Sequence, residues 1–289
     1  MALYHRPVSV SDALQALAAE AQAGRPWVIV SGGTDFYPAR VGRTISEPVL
    51  DLSALDELCG IREFSGHYDI GARATWSEVL RADLPPLFDG LKQAAREVGG
   101  VQIQNVGTVG GNLCNASPAA DGVPPLLTLD AAVELASARG RRTLPLGRFL
   151  LGSRKTAMAP DELLLAVRVP KPTGRTRSGF SKLGSRKYLV ISIVMAAAVL
   201  EVDGSNRVAK ASIAVGACSP VAQRLPALEA ELERRPADGA LADAVRPEHL
   251  RPLSAIDDVR GSAAYRMDAA QTVVRRLLGA LGAAPGETS

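Results

Sequence analysis

The stretch Gln104–Asp130, QNVGTVGGNLCNASPAADGVPPLLTLD, decides how this chain is read. Its centre is low in bulk, with Gly107, Gly110 and Gly111 standing beside Thr108, Asn112, Asn115 and Ser117. Three glycines in five positions open backbone conformations closed to other residues, so successive N–H groups can converge on one anion. Thr108, Asn112 and Ser117 add side-chain hydrogen bonds, and Asp121 can accept one from a hydroxyl. A glycine-rich turn by itself is more often a tight corner. Here a second half exists in Trp27–Phe36, WVIVSGGTDF, a short apolar run that reads as a buried strand and stops at Gly32-Gly33. A strand ending in two glycines delivers bare amides to a fixed point. Two such loops can grip a pyrophosphate from both sides, which points to a dinucleotide.

The common dinucleotide fold does not fit, because neither loop reads G-x-G-x-x-G in a strand-glycine-helix unit, and the Walker pattern is absent too. Net charge is +3 from 33 basic and 30 acidic residues, and the cations form no recognisable nucleic-acid module. Cys59, Cys114 and Cys218 are too few and too scattered for an iron–sulfur cluster held by this chain alone, and with His5, His67 and His249 equally scattered no metal site is expected. The longest apolar stretch, Tyr188–Leu200, is interrupted by Ser192 and falls short of the roughly 20 residues that cross a bilayer. No signal segment leads the chain, and the unpaired cysteines suit a reducing compartment, so a cytoplasmic protein is expected.

Elements follow from the pattern. Ser11 is expected to cap a helix that Asp12 favours near its positive end, with Leu14, Leu17 and Ala18 on one face and Gly24 closing it. Short strands are expected at 47–52 and 69–72, helical pieces at 75–81 and 88–99, and a strand pair at 132–135 and 142–146, with a further strand at 163–169. The polar segment 171–177 reads as a domain boundary. Beyond it, 180–183, 191–202 and 209–216 read as an antiparallel meander, and Ser262 is expected to cap a last helix whose Val273, Val274, Leu277, Leu278 and Leu281 form an apolar stripe suited to a core. Residues after Gly282 are expected to fray.

The two motifs carry a resemblance. Ser31–Asp35 (SGGTD) and Thr108–Asp121 (TVGGNLCNASPAAD) resemble the two FAD pyrophosphate motifs of the FAD-binding (medium) subunits of the molybdenum hydroxylase and xanthine dehydrogenase family, such as those of carbon monoxide, nicotinate and isoquinoline-type dehydrogenases. The similarity runs on through Pro160–Leu164, Val167–Pro170, Phe180–Arg186 and Asp258–Arg266. It implies an α+β chain: a two-part FAD-binding domain over 1–175, of the vanillyl-alcohol-oxidase type, with a small α/β subdomain and a mixed or antiparallel β subdomain. A C-terminal flavoprotein domain over 178–285 would follow, with a three-stranded antiparallel sheet and helices.

The resemblance also implies the site. Ile29, Val30, Ser31, Gly32, Gly33, Thr34, Asp35 and Phe36 would form the first FAD loop and Thr108, Val109, Gly110, Gly111 and Asn112 the second. Gly99 matches a position beside the adenine, Asp121 one that contacts the flavin nucleotide, Leu164 one against the isoalloxazine, and Lys182 a cation near the ring. In one place the chain departs: many members follow the lysine strand with an Ala-Asp-Ile-Ala type sequence, and this chain has Tyr188-Leu189-Val190-Ile191-Ser192, apolar at the acidic position. No nucleophile–base constellation is visible, so no catalytic side chain is assigned and the cofactor would carry the reaction. The family's arrangement implies electron transfer from two [2Fe–2S] clusters on a small partner subunit, fed by molybdopterin on a large one, through FAD here to an acceptor, in a heterotrimer that is usually doubled. A stand-alone FAD oxidoreductase with substrate bound over the flavin is the alternative, and a scaffold that has lost its flavin a third.

Overall fold

In a computed structural model, which describes residues 3–283, the chain divides into two compact units, each assembled from separated stretches. The first takes residues up to Ala82, Gly100–Ala116 and Ala131–Pro170; the second takes Asp83–Gly99, Ser117–Asp130 and the chain from Lys171 onward. The end of the chain, where fraying is expected, lies outside the described residues.

The first unit opens with the helix Val10–Gln22, whose cap is Ser9 rather than Ser11. Ser9 Oγ accepts from Asp12 N at 3.1 Å, which places Asp12 in the first turn, where its carboxylate faces the positive end of the helix. Buried Ala13 and Leu17 pack with Leu50, Leu52, Leu163 and Leu165 in one core. A parallel three-stranded sheet has Val49–Asp51 at its centre, with Tyr4–His5 on one side and Val28–Val30 on the other. A five-stranded antiparallel sheet runs Ile61–Glu63, His67–Gly71, Leu163–Pro170, Ala132–Ser137, Gly140–Pro145. The α/β and antiparallel parts expected from the sequence are both present, and Thr75 with Glu78 forms a capping box on the helix Trp76–Arg81.

The second unit is built on Arg175–Leu183, Val194–Val202 and Val208–Gly216, paired antiparallel in order, with the two-residue strand Gln223–Arg224 added at the edge. The three strands expected therefore become four. The middle strand starts at Val194 and not at Ile191, because Leu189 adopts a left-handed φ of 51° and Tyr188, Leu189 and Ile191 stay exposed before pairing begins. The first strand begins at Arg175, inside the segment read as a boundary. The helix Ala263–Ala283 buries Val273, Val274, Leu277, Leu278 and Leu281 in the core of this unit, and Ser262 Oγ accepts from Tyr265 N at 3.2 Å.

One buried cation ties this helix to the sheet. Arg266, 2% exposed, donates from Nη1 to the carbonyls of Ile193 (2.6 Å) and Ala217 (3.1 Å) and from Nη2 to Asp258 Oδ1 (2.6 Å). Arg266→Met keeps the stem of the side chain and removes the donor from the buried Ile193 carbonyl, at roughly 1–3 kcal/mol, and from the part-buried Ala217 carbonyl, at less. Urea unfolding of the full chain followed by circular dichroism should show the midpoint fall by a corresponding amount, and a wild-type midpoint would contradict this role.

Candidate functional site

The first glycine loop leaves the strand Val28–Val30 and turns at Gly33, whose φ of 68° only glycine adopts without strain. A Cβ on Gly33 would also fall on the Tyr37 ring. The turn is held from behind, by Tyr37 N to Gly33 O (3.1 Å) and Ala39 N to Asp35 O (3.3 Å). Arg40 holds its far end: the guanidinium lies 4.0 Å from the Phe36 ring centroid, Nη1 donates to Phe36 O at 3.2 Å, and Nη2 pairs with Glu47 at 2.9 Å. Among the described residues, the backbone amides of Gly32 to Phe36 find no acceptor. Five consecutive unspent donors around a left-handed glycine form a concavity suited to an anion.

The second stretch is not a loop. It folds as two short helices, Val101–Val106 and Val109–Asn115, with Thr108 capping the latter. Gly107, Gly110 and Gly111 all avoid positive φ, so their value lies in close approach. Gly110 N donates to Ala72 O and Val109 N to Ala74 O, both at 2.9 Å, while Gly111 N donates to Thr108 Oγ1 at 3.1 Å. The amides of Val109, Gly110 and Gly111, expected to hold an anion, are spent within the fold, on two backbone carbonyls and the Thr108 hydroxyl. A Cβ on Gly110 would meet Ala72 O at 2.5 Å, and one on Gly32 would fall on the Val106 carbonyl, so glycine brings the first loop against the helix that leads into the second. The two stretches are brought together within the first unit, and each contains one buried polar atom that has no partner among the described residues: Ser31 Oγ and Asn112 Oδ1. Leu164, also in this unit, is buried in the strand Leu163–Pro170.

Gly99, Asp121 and Lys182 fall in the second unit. Gly99 has a φ of 57° and follows the helix Asp89–Glu97. Asp121 and Lys182 form a direct ion pair, Nζ to Oδ2 at 2.7 Å, with side chains 9% and 6% exposed. The remaining oxygen, Oδ1, accepts from Ser192 Oγ at 2.6 Å. Asp121 thus accepts from a hydroxyl 71 positions away, and capping of the helix Val123–Thr128 involves no side-chain bond. Burial pushes the Asp121 carboxyl above its ordinary value, and the Lys182 ammonium and the Ser192 hydroxyl act against that rise. Lys182 also lines a cavity of about 520 Å³ with Arg96, Glu97, Phe180, Arg186 and Lys187, four cations to one carboxylate, a wall that favours an anionic group.

Sequence reasoning missed Ser192, Arg40 and Arg266. Arg40 had a signal, since it stands four residues after Phe36 at helical spacing. Ser192 showed only as a break in an apolar run.

Burial pushes the Cys114 thiol up to about 12 and Cys218 to about 11, so neither forms much thiolate near neutrality. Titration with Ellman's reagent at about pH 8 should leave both unreacted in the native chain and release them on denaturation. A second expected outcome separates packing from binding: Gly110→Val lowers the urea midpoint of the ligand-free chain, whereas Ser31→Ala leaves it unchanged or raises it, because the hydroxyl removed has no partner to lose. Equal midpoints for Gly110→Val and wild type would contradict the close approach to Ala72.

Comparisons with known proteins agree on one family. Residues 1–172 match the FAD binding domain in molybdopterin dehydrogenase, and residues 180–281 match the CO dehydrogenase flavoprotein C-terminal domain. The xanthine dehydrogenase FAD-binding subunit of Escherichia coli O157:H7 is 29% identical over 289 residues, covering 99% of this chain and 97% of the relative. The carbon monoxide dehydrogenase medium chain of Afipia carboxidovorans is 31% identical over 284 residues, 94% of each. A crystal structure of Cu,Mo-CO dehydrogenase superposes with a TM-score of 0.85 at 28% identity over 97% of both chains. No helix among the described residues is long and apolar enough to cross a membrane.

Proposed function

The chain belongs to the FAD-binding flavoprotein subunits of the molybdenum hydroxylases, which are oxidoreductases, and from that premise we propose that it is the electron outlet of a multi-subunit dehydrogenase. A large subunit would hold molybdopterin and oxidise the substrate, a small one would hold two [2Fe–2S] clusters, and the assembly would be a doubled heterotrimer in the cytoplasm. FAD, when bound, supplies a two-electron carrier between those clusters and an acceptor.

The residues present fit that cofactor, and the observation that carries the reading is the set of unmet polar groups in the first unit. Ser31 Oγ is a buried donor without a partner, beside amides of Gly32–Phe36 that find no acceptor, which suits the oxygens of a pyrophosphate. Asn112 Oδ1 is a buried acceptor without a partner, which suits a sugar or ribityl hydroxyl. Each group carries a desolvation penalty in the free chain that a ligand removes. Ile29, Val30, Gly32, Gly33, Thr34, Asp35 and Phe36 shape the first loop. Thr108, Val109, Gly110 and Gly111 fix the helix that presents Asn112. Leu164 offers an apolar surface to the ring, Gly99 a turn beside the adenine, and Asp121 with Lys182 a balanced charge near the flavin, with the Lys182 ammonium positioned to favour electron density on it.

Titration of the ligand-free chain with FAD, followed by flavin fluorescence, should give a dissociation constant about tenfold or more higher for Ser31→Ala and for Asn112→Leu, since a lost hydrogen bond to a charged or fully buried group is worth about 1.5–3 kcal/mol. Unaltered affinity in both variants would sink the loop assignment. Affinity purification from the native host should also bring down a larger chain with molybdenum and a smaller one with iron; a flavin-containing monomer that turns over a substrate alone would establish the stand-alone oxidoreductase instead.

A further inference from the structure

We propose that Ser192 is a positioning residue for Lys182, acting through Asp121 to set how strongly the bound flavin holds electrons. The proposal rests on the FAD reading above and extends it to a residue that reading does not include. Three side chains stand in series: Lys182 Nζ donates to Asp121 Oδ2 at 2.7 Å, and Ser192 Oγ donates to Asp121 Oδ1 at 2.6 Å. All are buried, Ser192 at 1% exposure, so water does not replace the hydroxyl if it is lost.

A hydroxyl donating to a carboxylate makes a strong, charge-assisted bond and draws negative charge toward itself. Asp121 is then a weaker counter-ion to Lys182, and more of the ammonium's field remains for whatever lies beside it. Without the hydroxyl, Lys182 is the main neutralising partner of Asp121 and is held closer to it, and Glu97, the carboxylate on the wall of the cavity that Lys182 lines, adds to the negative side. The local potential becomes more negative, and electron uptake by a neighbouring flavin less favourable.

The aim of the hydroxyl is fixed by the backbone that follows it. Ile193 N donates to Leu183 O at 2.8 Å, and Ile193 O accepts from the buried Arg266 at 2.6 Å. Ser192 is therefore clamped between the strand that carries Lys182 and the C-terminal helix. It also ends the Tyr188–Ser192 segment, which carries apolar residues at 189–191.

The test uses the full chain loaded with FAD, in the complex it purifies with, as wild type, Ser192→Ala and Ser192→Thr. Flavin content is read by absorbance, the flavin midpoint potential by spectroelectrochemical titration, and thermal stability on the FAD-stripped chain. Ser192→Ala is expected to keep its FAD and its fold and to lower the midpoint by at least 30 mV, a tenfold change in the two-electron equilibrium. Ser192→Thr, which restores the hydroxyl, should return it toward wild type. A wild-type midpoint in Ser192→Ala overturns the proposal, and so does loss of FAD from a folded Ser192→Ala chain, since the hydroxyl would then hold the cofactor and not tune it. Absence of FAD from the wild-type complex would sink the underlying functional reading, an outcome distinct from either.

Discussion

Close backbone approach is the constraint on which the first unit depends. At Gly32 and Gly110 the main chain lies so near a neighbouring carbonyl that even one methyl group would collide with it. At Gly110 the contact lets the amides of Val109 and Gly110 bond to Ala74 and Ala72, which anchors the helix Val109–Asn115 to the turn after the strand His67–Gly71. At Gly32 it seats the first loop on the end of the helix Val101–Val106. With both contacts made, the amides of Gly32–Phe36 find no acceptor among the described residues. Interior packing leaves little slack for such contacts, so the glycines act as spacers of fixed size more than as flexible joints.

A different constraint governs the second unit, where the polar groups are paired. Burying a carboxylate and an ammonium is costly unless both are hydrogen-bonded, and the Asp121–Lys182 pair meets that condition with Ser192 as the third member. Arg266, on the C-terminal helix, repeats the pattern, with two carbonyls and Asp258 around one guanidinium, although its Nε has no partner among the described residues. Removing one partner from either cluster strands a charge or a carbonyl, so these clusters specify geometry whatever their net contribution to stability.

Much of this was legible in the sequence, and the failures have physical causes. The strand Val28–Val30, the antiparallel meander and the buried stripe of the last helix all follow from local periodicity, which a single sequence displays. The second glycine stretch was legible as important and misread in conformation: glycine signals permissiveness, and only the position of the Ala72 and Ala74 carbonyls, set by another strand, shows that the space and not the φ was needed. Ser9 and Ser11 both stand at the start of the helical pattern, and the choice between them turns on which hydroxyl reaches an amide three residues on, as Ser9 does at Asp12. Lys182 reads as a surface residue by composition alone, and its partner lies 61 positions away. Long-range polar pairing leaves no periodic trace, so Ser192, bonded to a carboxylate 71 positions away, could not be found by pattern, whereas Arg40 stands at helical spacing from Phe36.

The two units differ in which polar groups their folds leave unmet. Binding free energy comes from groups whose needs are unmet before the ligand arrives, since a group already bonded must give up a partner to take another. In the first unit such groups are present at Ser31, Asn112 and the amides of the first loop. In the second, Asp121 and Lys182 are already paired with each other, so a ligand gains little by contacting either one. What that pair supplies is a field, fixed in a region with little water, whose strength depends on how its charge is divided. The first unit therefore leaves unmet polar groups that a ligand would satisfy, whereas the second holds a charged pair that its own fold already satisfies.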